Sequence, residues 1–257
     1  MWGKNGVTNY FGASGSYLDW TGMAYMRNNW FPDDWASLQT QTWAMDSVNG
    51  FYGTIPLLTV ALRDWASIYT NFAVVPDGSY MSIIGMYKHH VGNNANICTL
   101  NHLKKYNMRW GIPVAPESYD KNFNIWGDQY SNFNAGKIRL ILEGIAGLDY
   151  SIPDDTFTVC DTMPMEWTYM NVMVPLTKNG RTYWVGSDLT RQQKPDGTVE
   201  KTIGITGNTQ GTLNIQPWLE EKTLIDAPAG YIDQQPRGHI GYTFGNTGSK
   251  TIVIRLQ

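Results

Sequence analysis

Charge is scarce in this chain. Asp, Glu, Lys and Arg make up 16% of 257 residues and sum to a net charge of -3, so no basic field exists to hold a phosphate backbone and no acidic tail to solvate the chain. Nucleic acid is therefore not an expected partner. Cysteine is scarcer still: Cys98 and Cys160 stand far apart with no CxxC or Cys/His spacing, which argues against a zinc site or a disulfide scaffold and leaves the two thiols free or paired. No apolar run approaches the ~20 residues of a membrane span, and the opening MWGKNGVTNYFGASG lacks a basic stretch followed by an apolar one. The expectation is a soluble chain with no membrane partner and no export signal, with an extracellular or lumenal location open if residues are missing ahead of Met1. Gly12-Ala13-Ser14-Gly15-Ser16 follows no expected strand, and clustered His/Asp ligands are missing, so no metal, nucleotide or redox cofactor is expected.

What the chain has is aromatic surface. Its 11 Trp, 15 Tyr and 8 Phe come with 26 Gly and abundant Asn, a profile that suits sugar recognition. A pyranose lays its axial C–H groups on a flat ring while its hydroxyls seek Asn, Asp, Gln and indole N–H partners. Most of these rings are nonetheless expected in the core, which a 42% hydrophobic composition can fill for one large domain or two ordinary ones.

The first part reads as helices joined by aromatic and glycine-rich loops. One is expected over 16–28, and Pro32-Asp33-Asp34 opens another through Trp35, Leu38 and Met45, with acidic residues where the helix dipole prefers them. A third starts at Pro56 and carries Leu58, Leu62, Trp65, Tyr69 and Phe72 on one stripe, ended by Val75-Pro76-Asp77-Gly78 turn chemistry. Further helices are expected over 80–90 and 94–108. A long loop with Pro113 and Pro116 follows, and then a helix capped by Asn134 whose Ile138, Ile141, Leu142 and Ile145 mark it as buried. From Ser151 the texture changes to strands: TFTV, YMNVMV, RTYWVG, TVEKTIGI, GHIGYTF and KTIVIRL, with hairpin turns at 195–197 and 245–249. The expected fold class is α+β, with a helical domain over 1–150 and an antiparallel β domain over 151–257.

The Asp128-Gln129-Tyr130-Ser131 segment before a Gly-bearing helix, the run Glu143-Gly144-Ile145-Ala146-Gly147-Leu148, the extended Pro153-Asp154-Asp155 and then Met163-Pro164-Met165-Glu166-Trp167 together resemble the last helix and exit strand of six-hairpin glycosidases. The resemblance covers about residues 120 to 175 and is weaker over 50 to 120. It implies an (α/α)6 toroid with a β-sandwich-like region beside it, glycoside hydrolysis, and an oligo- or polysaccharide partner. It also implies that Asp128, in a loop before the last helix, acts as general base, although the family's commoner pattern has Glu at that place. An inverting pair needs a second carboxyl group, protonated, roughly 6.5–9.5 Å away; Glu117 and Asp46 are the candidates. Trp110, Trp126, Gln129, Tyr130 and Trp167 are the candidate substrate-binding residues.

Twelve helices of ~11–12 residues with ~4–6-residue loops need roughly 190 residues, more than the six or so helices here supply. A half toroid would expose apolar helix sides, so the chain is expected to be the C-terminal part of a larger protein or to associate, with itself or with the missing N-terminal helices. Two other functions stand beside hydrolysis. One is glycan binding without turnover, or an inactive fragment. The other is a polysaccharide lyase built on Tyr87, His89, His90 and Asn93. Glu143 is expected to pair with Arg139 or Lys137, and Asp154 and Asp155 to form a turn.

Overall fold

The computed structural model describes residues 2–3, 6–7, 32–41, 45, 76–107, 115–119, 125–151, 155–178, 180–207, 211–232, 240–244 and 248–257. The helices expected over 16–28 and 56–72 lie outside the described residues. The chain divides into two compact units, Met1–Ile141 and Leu142–Gln257. It mixes helices with mainly antiparallel sheets, the α+β class, and among the described residues no helix is long and apolar enough to cross a membrane.

The first unit holds a short hairpin of β1 (Trp2–Gly3) and β2 (Gly6–Val7), then α1 (Asp33–Gln39), α2 (Pro76–Lys88) and α3 (Gly92–Asn101). A second hairpin, β3 (Ala115–Tyr119) and β4 (Ile125–Tyr130), follows and runs directly into α4 (Ser131–Arg139). Helix α2 is the hub: it packs on α1, α3, α4 and β3, and Tyr80, Ile83, Ile84, Met86 and Tyr87 are all buried. Pro76 opens this helix instead of ending the one before it. Proline suits a first helical position because its missing N–H would have no partner there.

Two further expectations change in α4. Asn134 lies inside the helix and not at its cap, because β4 leads into Ser131 with no intervening loop. The winding then opens to i→i+5 bonding over Leu140–Ile145, as it does after α3 over His102–Asn107. An i→i+5 turn changes which residues share a face. Leu140 and Ile145, five apart, are buried, whereas Ile138 and Ile141 are 59% and 36% exposed, so the helix is not enclosed on every side.

The second unit is built from two sheets. The four-stranded sheet runs β12 (Ile240–Phe244), β10 (Gly211–Ile215), β6 (Thr156–Val159), β5 (Leu148–Ser151), and the five-stranded sheet runs β11 (Leu224–Asp226), β13 (Gly248–Leu256), β9 (Val199–Gly207), β8 (Arg181–Gln193), β7 (Tyr169–Lys178). Alternation puts Val199, Lys201, Ile203 and Ile205 of β9 and Ile252, Ile254 and Leu256 of β13 on one buried face. The expected turn at 195–197 joins β8 to β9, with Lys194 N–H donating to the Thr198 carbonyl and Gly197 at φ +87. The expected hairpin at 245–249 is not one, since β12 and β13 belong to different sheets. Nor is the unit wholly antiparallel: β6 and β10 pair in parallel, which the long excursion through β7, β8 and β9 allows.

Gly147 shows why the Gly-Ile-Ala-Gly-Leu run has its shape. It stops the helix at φ +60, and a Cβ there would collide with the carbonyl of Cys160, whose N–H donates to the Gly147 carbonyl at 2.8 Å. The left-handed conformation alone costs a side-chain-bearing residue about 1–2 kcal/mol, and the collision with backbone adds to it. Gly147→Ala is expected to lower unfolding stability by about 3 kcal/mol in urea titrations, at the upper end of single-substitution effects; a loss within about 0.5 kcal/mol of wild type would show that the close approach of Gly147 to Cys160 relaxes freely.

Candidate functional site

The region around Asp128 is a strand, not a loop. Tyr119 pairs with Ile125, Ser118 with Trp126, Pro116 with Gln129 and Ala115 with Tyr130, so Glu117 alone stands opposite two residues, Gly127 and Asp128. That is a β-bulge. Gly127 has φ +75, which the first residue of such a bulge requires and a residue with a Cβ resists. The extra residue re-aims the strand beyond it, and Asp128 is exposed. The backbone register thus places the two carboxylate candidates, Asp128 and Glu117, opposite one another at one kink.

The other candidates are placed differently. Gln129 lies in β4 opposite Pro116, while Asp46 and Trp110 lie outside the described residues. Trp167 belongs to the second unit, half-buried, with its N–H donating to the Pro164 carbonyl at 2.9 Å. Of Tyr87, His89, His90 and Asn93, the first two are engaged in buried or part-buried pairs with other residues. The Tyr87 hydroxyl is buried and bonded to Asn96 Oδ1 at 2.8 Å and Thr99 Oγ1 at 2.9 Å, and burial pushes its pKa up, whereas a lyase base needs it lowered. The buried His89 ring meets Asp33 in the first turn of α1 at 2.6 Å, and His90 turns the chain at φ +64. Asp155, at φ +49, is the turn residue expected, and its carboxylate accepts from the Tyr150 hydroxyl at 2.9 Å. Cys98 and Cys160 are not joined in a disulfide; burial pushes the Cys98 thiol up to about 12, which keeps it an unreactive core residue.

His102 is buried beside Tyr80, with ring centroids 5.1 Å apart, and desolvation, assisted by the Lys137 charge, lowers its pKa from 6.5 to about 3. The unfolded imidazole takes up a proton below 6.5 while the folded one does not until about 3. The stability that neutral His102 supplies is therefore complete above the unfolded value and drains away as pH falls toward the folded one, at about 1.4 kcal/mol per pH unit. Denaturant titrations of His102→Phe, which keeps a ring against Tyr80, are expected to show a shallower acid slope than wild type. Equal slopes would refute a neutral buried His102.

Sequence reasoning missed a charged group inside the second unit. Lys201, fully buried on the inward face of β9, forms an ion pair with Asp161, donates to the Trp218 carbonyl at 2.9 Å and lies 3.9 Å from Glu220. Arg191 on β8 clamps Glu220 with two bonds of 2.8 Å, and Trp218 N–H donates to Asp161 at 3.3 Å. Burial, only partly offset by Lys201, raises the Asp161 pKa, while Glu220 holds Arg191 above its ordinary value. Asp161 and Trp218 follow β6 and β10 of the four-stranded sheet, so the group ties the two sheets together. A lysine at an inward position of an alternating strand was the available signal.

No protein-family model matches the chain, and no curated protein matches it. Among solved structures it is similar to Ara127N-Se, a GH127 β-L-arabinofuranosidase from Geobacillus stearothermophilus T6, at 12% identity and a TM-score of 0.32. The match covers 93% of this chain and 41% of that one, so this chain spans less than half of the other's length. A likeness at that score lends no support to a shared site or activity.

Proposed function

We propose that the protein is a glycoside hydrolase-like, carbohydrate-active protein, with Asp128 as the base that activates water and Glu117 as the acid that protonates the leaving oxygen. The helical part is read as a portion of an (α/α) toroid over 1–150, and 151–257 as its β companion. The observation that carries the reading is the bulge, which sets an exposed Asp128 opposite Glu117 on a hairpin running straight into α4. Its support from sequence is the resemblance of residues 120–175 to the exit region of six-hairpin glycosidases. Trp126, Gln129 and Tyr130, beside the bulge, are the proposed sugar contacts.

Incubation of the purified chain with arabinan, xylan, starch and trehalose, read as new reducing ends, tests this. Product from at least one glycan is the expected result. Saturable binding with no product would instead identify a glycan-binding protein without turnover.

A further inference from the structure

The five-stranded sheet has two unlike faces. Val185, Ser187 and Leu189 of β8 and Met170 of β7 point inward and are buried, so the alternate positions Trp184, Gly186 and Asp188, and Tyr169, Asn171 and Met173, form the outer face. On that face the large side chains are open: Tyr169 is 55%, Met173 60% and Trp184 47% exposed. Gly186 stands opposite Met173 on one side and Thr206 on the other and is buried beneath their side chains, while Gly204, opposite Asp188 and Thr251, leaves a shallow notch. Asn171 and Asp188 face each other across β7 and β8 in the middle of this stretch.

We propose that this outer face is a binding site for an uncharged polysaccharide chain, separate from the β3–β4 hairpin. The rings and the Met173 thioether offer flat apolar area, the notch at Gly204 lets a chain approach the sheet, and the Asn171–Asp188 pair and neighbouring threonines offer hydrogen bonds. Charge favours a neutral ligand: on this face Arg255 pairs with Glu200 at 3.0 Å and lies 3.8 Å from Asp226, Lys194 pairs with Glu200 at 3.2 Å, and Asp188 adds a further carboxylate. The apolar groups are interrupted by polar ones and do not form the continuous patch a protein partner buries. From Tyr169 to Pro175, the residue opposite Trp184, six residues of strand span about 20 Å, room for several sugars in line. Among the described residues β7 is the edge strand of its sheet, so a long chain can run past it on that side.

Native gel electrophoresis of the full chain through soluble arabinoxylan, galactomannan or hydroxyethylcellulose, with polygalacturonate as the charged comparison, tests the proposal. At least one neutral polysaccharide is expected to retard the protein. Trp184→Ala and Tyr169→Ala are each expected to weaken that retardation about tenfold, with unchanged melting because both side chains are exposed. Turnover of a short oligosaccharide, if measured, is expected to survive both substitutions, which separates this site from the hydrolytic reading. Retardation by polygalacturonate alone, no retardation at all, or retardation unaltered in the double variant would overturn the proposal. So would a concentration-dependent dimer that the same substitutions dissolve.

Discussion

A chain carrying Lys201→Met is expected to lose roughly 3–5 kcal/mol of unfolding stability, and a second substitution, Asp161→Leu, is expected to recover most of it. The single change strands a buried carboxylate whose remaining partner is the Trp218 N–H at 3.3 Å. The double change removes both charges from a site that is fully buried, and filling such a site with apolar groups of similar volume is often neutral or better. Arg191 and Glu220 stay bonded to each other in both variants, so they do not mask the comparison. The sign of the pH response follows from Asp161. Its folded pKa is raised above the ordinary value, so the folded state takes up this proton before the unfolded state does, and Asp161 alone makes stability increase as pH falls through that window. Without Lys201 the preference for a protonated Asp161 is stronger. The deficit of Lys201→Met is therefore expected to be largest near neutral pH and to shrink in acid, measured as the difference between wild-type and variant denaturant midpoints. A deficit that grows on acidification would contradict this account of the buried group.

Much of the second unit was legible in the sequence because alternation and turn residues act locally. Val199, Ile203 and Ile205 mark the inward face of β9, and Pro195-Asp196-Gly197 sets its hairpin without reference to anything distant. Which strands pair was not legible. Nothing near Thr156 announces a parallel partner at Thr212, and nothing at Gly245 announces a change of sheet, since both depend on how the whole unit closes. In the helical part α3 was readable from its end signals and α4 from periodicity, but not the change in winding at Leu140 beside the exposed Ile138. The hairpin that carries the candidate site was hidden by its own chemistry. Pro116 argues against a central strand, yet in a two-stranded ribbon its missing N–H costs nothing if it faces away from the partner. The motif found Asp128, and Glu117 was a candidate as a carboxyl group in the loop region expected ahead of it; only the register of β3 on β4 sets them opposite one another.

The larger kinetic effect is expected at that pair. Asp128→Asn keeps size and shape but cannot take a proton from water, and general acid–base groups contribute about 10²–10⁴-fold to rate. A fall of that size in kcat is expected for Asp128→Asn, and a fall within the same range for Glu117→Gln, least severe on substrates whose leaving group needs no protonation. Glycan affinity is expected to change little in either variant, because Trp126, Gln129 and Tyr130 are untouched. That split between rate and affinity separates chemistry from folding damage, which would lower both.

The most direct test is therefore release of reducing ends from a glycan that the wild-type chain cleaves, measured for Asp128→Asn alongside its affinity for the same glycan. The account predicts turnover reduced by at least about a hundredfold with affinity retained. Undiminished turnover in Asp128→Asn would contradict it.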